Sequence, residues 1–193
     1  MTAGAPVRPS AAVFLDRDGT IVSDPGYLRD PALVVMLPDA GPAIARLNQA
    51  GLPVIVVTNQ SGISRGLLSD AEYRGVTTRL DQLLRPFGAH IDATYHCPHA
   101  PERDGPCDCR KPGLKLFEQA AAEHHIDLGG SWWVGDRLSD VLPAAAVGGT
   151  GLLVETGEGP AHREAARAEG FVVVPGLEAA VERILSGARP SAR

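Results

Sequence analysis

Cysteine, aromatic residues and basic charge are all scarce in this sequence. Only three of its 193 residues are cysteine, and all three lie between positions 97 and 109, so no disulfide framework spans the chain. Aromatic residues make up 5%, and the formal net charge is −5. A general nucleic-acid-binding protein is usually basic, so we expect no nucleic-acid partner.

Long apolar runs are missing as well. No stretch of eighteen or more apolar residues occurs, which argues against a membrane span, and the first ten residues lack the apolar segment of a secretory signal. A mean hydropathy of −0.02 and an apolar share of 44% are ordinary for a globular protein. We therefore expect a cytoplasmic protein with no membrane partner. Because no exposed apolar stripe is obvious, we also expect a monomer.

What the sequence does contain is an alternation of short apolar runs and amphipathic stretches. This pattern predicts an α/β fold with an open parallel sheet and helices on both faces. We place one domain at residues 11–187, between a disordered lead-in at 1–10 and a flexible tail at 188–193. Strands are predicted at 11–15, 52–57, 91–95, 132–134, 152–154 and 171–174. Helices are predicted at 41–50, 69–84, 114–124, 138–146, 161–169 and 177–186. Ser69 and Glu72 are spaced as a capping box.

Two carboxylates follow the first predicted strand. Asp16 and Asp18 stand in the sequence DRDGT directly after an apolar run. In open α/β sheets ligands bind beyond the carboxyl ends of the strands, so both side chains are expected at a binding crevice. Asp16 can attack phosphorus and form an aspartyl-phosphate, while Asp18 can protonate the leaving oxygen and then activate water. A plain turn would use the same residue types.

Three further motifs complete the chemistry of phosphoryl transfer. Thr58, Asn59, Gln60 and Ser61 follow the second strand, where a hydroxyl and backbone amides suit a phosphate. Lys111 can neutralise the transferring group, and Arg110 can hold a second anion. Asp136 follows the strand at 132–134 and can complete a Mg²⁺ site with Asp16, while Asp140 can position Lys111 or the metal shell.

The cysteines form a compact metal-binding pattern. Cys97, His99, Cys107 and Cys109 read C-x-H and C-x-C, and three thiolates with one imidazole match a tetrahedral structural zinc site. Zinc would organise the aperiodic segment 96–112. Reduced cysteines without metal are the alternative.

These motifs together resemble the haloacid dehalogenase-like superfamily over about residues 14–158. The resemblance implies a Rossmann-like sheet, with Asp16 as nucleophile, Asp18 as general acid and base, and Thr58 and Lys111 as phosphate ligands. It also implies that Mg²⁺ is held by Asp16, the Asp18 carbonyl and Asp136.

The zinc loop narrows the resemblance to the family of heptose-bisphosphate phosphatases and histidinol phosphatases. Three features favour the heptose branch. Two are sequence segments: TNQSGI-x-RG, which contains Arg65, and the D-x-G-Y segment of Asp24, Gly26 and Tyr27. The third is a minimal cap, meaning that the sequence has no bulky cap domain over the expected site. The short stretch between His99 and Cys107, and Gly113-Leu-Lys-Leu after Pro112, lean toward the histidinol branch. We predict a small phosphorylated metabolite as substrate. Another sugar phosphatase, a phosphotransferase and an inactive binding module are the alternatives.

Overall fold

The computed structural model describes residues 9–188, and their fold is built on a sheet of six parallel strands. The strands are β1 Val13–Leu15, β2 Val54–Asn59, β3 Ala93–Cys97, β4 Trp132–Gly135, β5 Thr150–Val154 and β6 Val172–Val174. Their spatial order is β3-β2-β1-β4-β5-β6, and every neighbouring pair is parallel. The predicted open parallel sheet is thus confirmed.

The described chain has seven α-helices, of which the first six lie between strands and the last follows β6. They are α1 Ala40–Gln49, α2 Asp70–Leu84, α3 Pro101–Asp104, α4 Lys115–His124, α5 Leu138–Val147, α6 Gly159–Ala168 and α7 Leu177–Leu185. Short 3₁₀ turns lie at Pro31–Leu33 and Arg85–Phe87. The capping box of Ser69 and Glu72 begins α2 as predicted, whereas the four-residue α3 was not predicted.

Alternate residues of the central strands pack against opposite layers of helices, as the period of two requires. Val13 and Leu15 join a cluster with apolar residues of α1, α2 and α7. Phe14 faces the other way, toward Phe117 of α4 and Trp133. Because the inner strands are covered on both faces, they read as continuous apolar runs.

The strand order places a crevice at the centre of the sheet. The chain moves outward from β1 through β2 to β3, then crosses back to β4 on the other side of β1. Ligands of doubly wound sheets bind at such a switch point, beyond the carboxyl ends of the strands. The loops after β1, β2 and β4 therefore meet at one place.

Some boundaries differ from the predictions. Strand β3 is displaced from 91–95 to Ala93–Cys97, because His96 and Cys97, which lie beyond the predicted strand, pair with Thr58 and Asn59. Ser10, assigned above to the disordered lead-in, forms a β-bridge with Ile126. The rest of that lead-in up to residue 8, and residues 189–193 of the predicted tail, lie outside the described residues.

The described chain carries no inserted cap domain. The segment between β1 and α1 contains only the 3₁₀ turn Pro31–Leu33 as regular structure, and the segment between β3 and α4 contains only α3. The expected minimal cap is confirmed. Within residues 9–188, no helix combines the length and apolar character needed to cross a membrane.

Candidate active site

Lys111 is the centre of the site, although it comes from the aperiodic loop. Its ammonium donates to Asp16 Oδ1 at 2.6 Å and to the carbonyl oxygen of Val57 at 2.7 Å, and it lies 2.9 Å from Asp140 Oδ1. Burial alone would lower the pKa of Lys111, but Asp140 and Asp16 outweigh it and raise that pKa. The lysine is therefore a fixed cation beside Asp16.

The backbone of Lys111 is also held in place by hydrogen bonds. The amide of Lys111 donates to Asn59 Oδ1 at 3.0 Å, and Asn59 Nδ2 donates to the carbonyl oxygen of Lys111 at 3.3 Å. This reciprocal pair joins the end of β2 to the loop 98–112, which explains how a residue from an irregular segment reaches the sheet.

Asp16, Asp136 and Asp140 form a buried acidic cluster, with one oxygen of each within 4.8 Å of the others. Burial raises the pKa of Asp16, against the opposing effect of Lys111, and it raises the pKa of Asp136 to about 6. One lysine does not balance three carboxylates, so a divalent cation among them would restore their ionised forms.

Asp136 provides the strongest sign that a cation belongs there. Its Oδ2 accepts a hydrogen bond from the amide of Glu158 at 2.7 Å, whereas its Oδ1 is buried and has no hydrogen-bond partner among the described residues. A buried carboxylate oxygen without a partner is costly unless it binds an ion. The backbone packs closely against this carboxylate: a Cβ added at Gly19 or Gly157 would lie only 2.2 Å from Asp136 Oδ2.

Asp18 is held on two sides. Arg17 donates from Nε to Asp18 Oδ1 at 3.0 Å and from NH2 to Oδ2 at 2.8 Å. Gln60 Nε2 donates to Asp18 Oδ2 at 2.7 Å and to Thr58 Oγ1 at 2.8 Å. The side chain of Gln60 thus connects the hydroxyl after β2 to the second carboxylate after β1.

A cavity of about 570 Å³ opens above these groups. Its walls include every residue predicted to bind substrate, namely Asp24, Gly26, Tyr27, Thr58, Asn59, Gln60, Ser61, Arg65, Arg110 and Lys111. Asp16 and Asp18 also line the cavity. The volume is in the range of small-molecule sites.

Ion pairs surround the opening of this cavity. Arg65 donates to Glu102 Oε1 at 2.6 Å and also hydrogen-bonds the hydroxyl of Tyr27. Across the opening, Arg137 contacts Glu158 at 2.7 Å and Asp24 at 3.5 Å. We call these six residues the rim. They connect the loops after β1, β2, β4 and β5 with the loop 98–112.

The predicted zinc ligands are also brought together. Cys109 Sγ lies 3.1 Å from both His99 Nδ1 and Cys97 Sγ, and Cys107 Sγ lies 3.7 Å from Cys97 Sγ and 3.5 Å from Cys109 Sγ. A tetrahedral site with Zn–S bonds of about 2.3 Å separates its ligand atoms by about 3.8 Å, so the cluster is close to the size that zinc requires.

Comparisons with known proteins agree with this site. The HAD-hydrolase-like family model matches residues 108–180. The D-glycero-beta-D-manno-heptose-1,7-bisphosphate 7-phosphatase of Haemophilus ducreyi is 41% identical over 153 residues, which cover 76% of this chain and 84% of that protein. The protein of the same name from Pseudomonas aeruginosa is 38% identical over 174 residues, which cover 90% and 97% of the two chains. This chain belongs to the heptose-bisphosphate phosphatase family of HAD-like hydrolases.

A solved structure of the heptose-bisphosphate phosphatase family supports the same conclusion. The D,D-heptose 1,7-bisphosphate phosphatase of B. bronchiseptica, complexed with magnesium and phosphate, has a TM-score of 0.84 at 36% identity, with 92% of this chain and 99% of that chain covered. The protein is accordingly an enzyme, a phosphoric monoester hydrolase.

Reasoning from the sequence missed part of this candidate site. Arg137, Ser139 and Glu158 line the cavity, and Glu102 pairs with Arg65 at the rim. Glu158 follows β5, so the rule that identified Asp16 and Asp136 would have found it had it been applied to that strand. Glu102 gave no signal, because an exposed acid in an irregular loop has no pattern that reveals its partner.

Proposed function

We propose that this protein is a Mg²⁺-dependent phosphatase that removes the 7-phosphate of D-glycero-D-manno-heptose 1,7-bisphosphate through an aspartyl-phosphate on Asp16. The observation that carries the chemistry is the contact between Asp16 and the buried Lys111 at the base of the cavity. The substrate is supported by the names of the relatives, which match this chain over most of their length.

The reaction has two steps, and Asp16 and Asp18 exchange roles between them. In the first, an oxygen of Asp16 attacks phosphorus, the bond from phosphorus to the sugar oxygen breaks, and Asp18 gives its proton to that oxygen. In the second, water attacks phosphorus and gives a proton to Asp18, and the bond to Asp16 breaks. Inorganic phosphate leaves, and both carboxyl groups regain their starting forms.

Thr58 and Lys111 hold the transferring group. Lys111 lies within hydrogen-bonding distance of the attacking carboxylate, so its charge offsets the negative charge that collects around phosphorus. Thr58 is buried at the end of β2, and its hydroxyl is oriented by Gln60. Asn59 fixes the backbone of Lys111, and Ser61 lines the cavity beside Thr58.

Asp16, the carbonyl of Asp18 and Asp136 would hold Mg²⁺. The unpartnered Oδ1 of Asp136 and the uncompensated charge of the acidic cluster support this assignment. When bound, the ion supplies positive charge that neutralises the phosphate and keeps the carboxylates ionised. Zn²⁺ at Cys97, His99, Cys107 and Cys109 is structural in our proposal, since four protein ligands leave no open position.

The remaining cavity residues recognise the sugar and its second phosphate. Arg110 lines the cavity directly beside Lys111 and offers the guanidinium that suits a distal phosphate. Asp24 and Gly26 form a turn closed by a 2.8 Å hydrogen bond, and Tyr27 and Arg65 project from the rim. We further propose that the enzyme acts as a cytoplasmic monomer.

Histidinol phosphate is the second candidate substrate. Residues 100–106 make a short loop between His99 and Cys107, and this loop length is the feature that leans toward the histidinol branch.

The test compares phosphate release from heptose 1,7-bisphosphate, heptose 7-phosphate and histidinol phosphate in the presence of Mg²⁺, with Asp16→Asn as the blank. We expect the highest kcat/KM with the bisphosphate. Arg110→Met should remove the advantage of the bisphosphate over the 7-monophosphate, whereas Arg79→Met, at a partly exposed arginine of α2 that contacts Gln82, should retain it. A higher kcat/KM with histidinol phosphate would replace the heptose assignment.

A further inference from the structure

Arg17 is a buried charge that the proposed reaction does not use. It lies between the two catalytic carboxylates in sequence, and only 1% of its surface is exposed. Buried arginines are rare unless they are paired, because the desolvation of a guanidinium must be offset by charged hydrogen bonds. The partner of Arg17 is the neighbouring Asp18, in a two-point ion pair at 3.0 and 2.8 Å.

This pair fixes the orientation of the Asp18 carboxylate. Both of its oxygens accept from Arg17, and Oδ2 also accepts from Gln60 at 2.7 Å. A planar guanidinium that binds both oxygens leaves the carboxylate little freedom to rotate. Asp18 nevertheless lines the substrate cavity, so it is both held and accessible.

The guanidinium is supported from helix α2. The central carbon of Arg17 lies 5.4 Å from the ring centroid of Tyr73, which is within the range of a cation–π contact. Tyr73 is 4% exposed, and its ring packs on His96 at a centroid distance of 4.1 Å. Arg17 is therefore part of an ordered stack that extends from β3 through α2 to the catalytic loop.

We propose that Arg17 is a positioning residue that fixes the carboxylate of Asp18 in the orientation required for proton transfer. Arg17 does not contact the substrate. It acts through Asp18, so this inference rests on the proposed role of Asp18 as general acid and base. Within the described part of the chain, Asp18 Oδ1 accepts only the hydrogen bond from Arg17 Nε, so it keeps a lone pair for the proton that passes to the sugar oxygen in the first step and comes from water in the second.

A double-mutant cycle tests this dependence with the bisphosphate as substrate. Since general acid–base catalysis contributes about 10²- to 10⁴-fold, we expect Arg17→Met to lower kcat by about 10- to 100-fold with KM changed less than about threefold. In the Asp18→Asn background, Arg17→Met should have almost no further effect, because the group it positions is already absent. Arg17→Lys, which keeps the charge and loses the second contact, should fall between wild type and Arg17→Met.

Tyr73→Leu provides a second route if Arg17→Met does not fold. It removes the ring beneath the guanidinium while leaving Arg17 and Asp18 in place, and we expect a smaller loss of kcat that again disappears in the Asp18→Asn background. Tyr73→Phe retains the ring and should behave like wild type. Arg46→Met, which removes an ion pair to Glu178 between α1 and α7, is the matched control and should leave kcat unchanged.

Equal losses from Arg17→Met in the wild-type and Asp18→Asn backgrounds would overturn the proposal, because they would show that Arg17 acts on the fold or the substrate directly. An unchanged kcat in Arg17→Met would overturn it as well. If wild type releases no phosphate from the bisphosphate but cleaves another phosphomonoester, the heptose assignment fails, and the cycle with that substrate still decides the role of Arg17.

Discussion

Replacing Gly157 by alanine should weaken Mg²⁺ binding without removing any of its proposed ligands. Gly157 lies in the loop after β5 and packs directly on Asp136. A Cβ at this position would lie 2.2 Å from Asp136 Oδ2 and 2.7 Å from the Cα of Gly19, although real Cβ atoms essentially never approach below 3.0 Å. The carboxylate must therefore move by roughly 1 Å, which is large compared with the tolerance of a metal site.

This substitution is expected to have two separate effects, one on the stability of the protein and one on its affinity for Mg²⁺. Gly157 has a φ of +54°, so any L-residue there costs about 1–2 kcal/mol of stability. The displaced carboxylate adds a loss of metal affinity, which is about 10- to 100-fold when groups that support a ligand are changed. Gly170→Ala is the matched control, because Gly170 has a φ of +84° and a Cβ there would meet nothing within 4 Å.

The assay is a titration of phosphatase activity with Mg²⁺. Gly157→Ala should raise the Mg²⁺ concentration for half-maximal activity by about 10- to 100-fold and regain activity at saturating Mg²⁺. Gly170→Ala should lose comparable stability in urea and keep the wild-type Mg²⁺ curve. Identical Mg²⁺ curves for the two variants would refute the placement of the metal at Asp136.

Three other perturbations test separate parts of the molecule. Lys111→Met should abolish activity and lower the free energy of unfolding by about 3 kcal/mol in a urea titration, because it leaves buried Asp16 and Asp140 unpaired; unchanged stability would contradict this. Removal of zinc by a chelator should unfold the loop that carries Arg103, so that trypsin cleaves after Arg103 faster than in the zinc-bound protein, and it should stop turnover; full activity in the zinc-free protein would show that the cluster is dispensable. Ser69→Ala should cost about 1 kcal/mol at neutral pH. Hydrogen bonds from Ser69 lower the pKa of Glu72 below its ordinary 4.5, so the stability that this cap supplies is present above pH 4.5 and is lost as the pH falls through the lowered pKa. A difference between Ser69→Ala and wild type that stays constant down to low pH would exclude this origin.

The elements of the sheet and most of the cavity residues could be predicted because local patterns encode them. Asp16 and Asp136 each follow a buried strand and Thr58 lies near the end of another, and parallel strands bring their carboxyl ends to one edge whatever the separation in sequence. Their proximity follows from topology alone. The shift of β3 was not predictable in this way, since His96 and Cys97 pair with β2 through backbone groups that no side-chain pattern reports.

The interactions that hold the site together could not be predicted from the sequence. Lys111 was expected near phosphate, but its contacts with Val57 and Asn59 depend on how an irregular loop folds back over more than fifty residues. The pairing of Arg65 with Glu102 is of the same kind. The burial of Arg17 could not be predicted either. A basic residue between two aspartates is expected at the surface, but in the structure Arg17 packs against Tyr73 and is buried.

The arrangement of the loop 98–112 separates the residues proposed for phosphoryl transfer from those proposed to recognise the distal part of the substrate. The four proposed zinc ligands and the amide pair of Asn59 fix both ends of residues 100–106, while residues 101–104 are exposed and place Glu102 at the rim. Lengthening such a closed loop is inexpensive, about 0.6 kcal/mol for each doubling. This short stretch can therefore gain, lose or exchange residues while Lys111 keeps its position. Selectivity for the distal part of the substrate can thus diverge, in evolution or by design, independently of phosphoryl transfer.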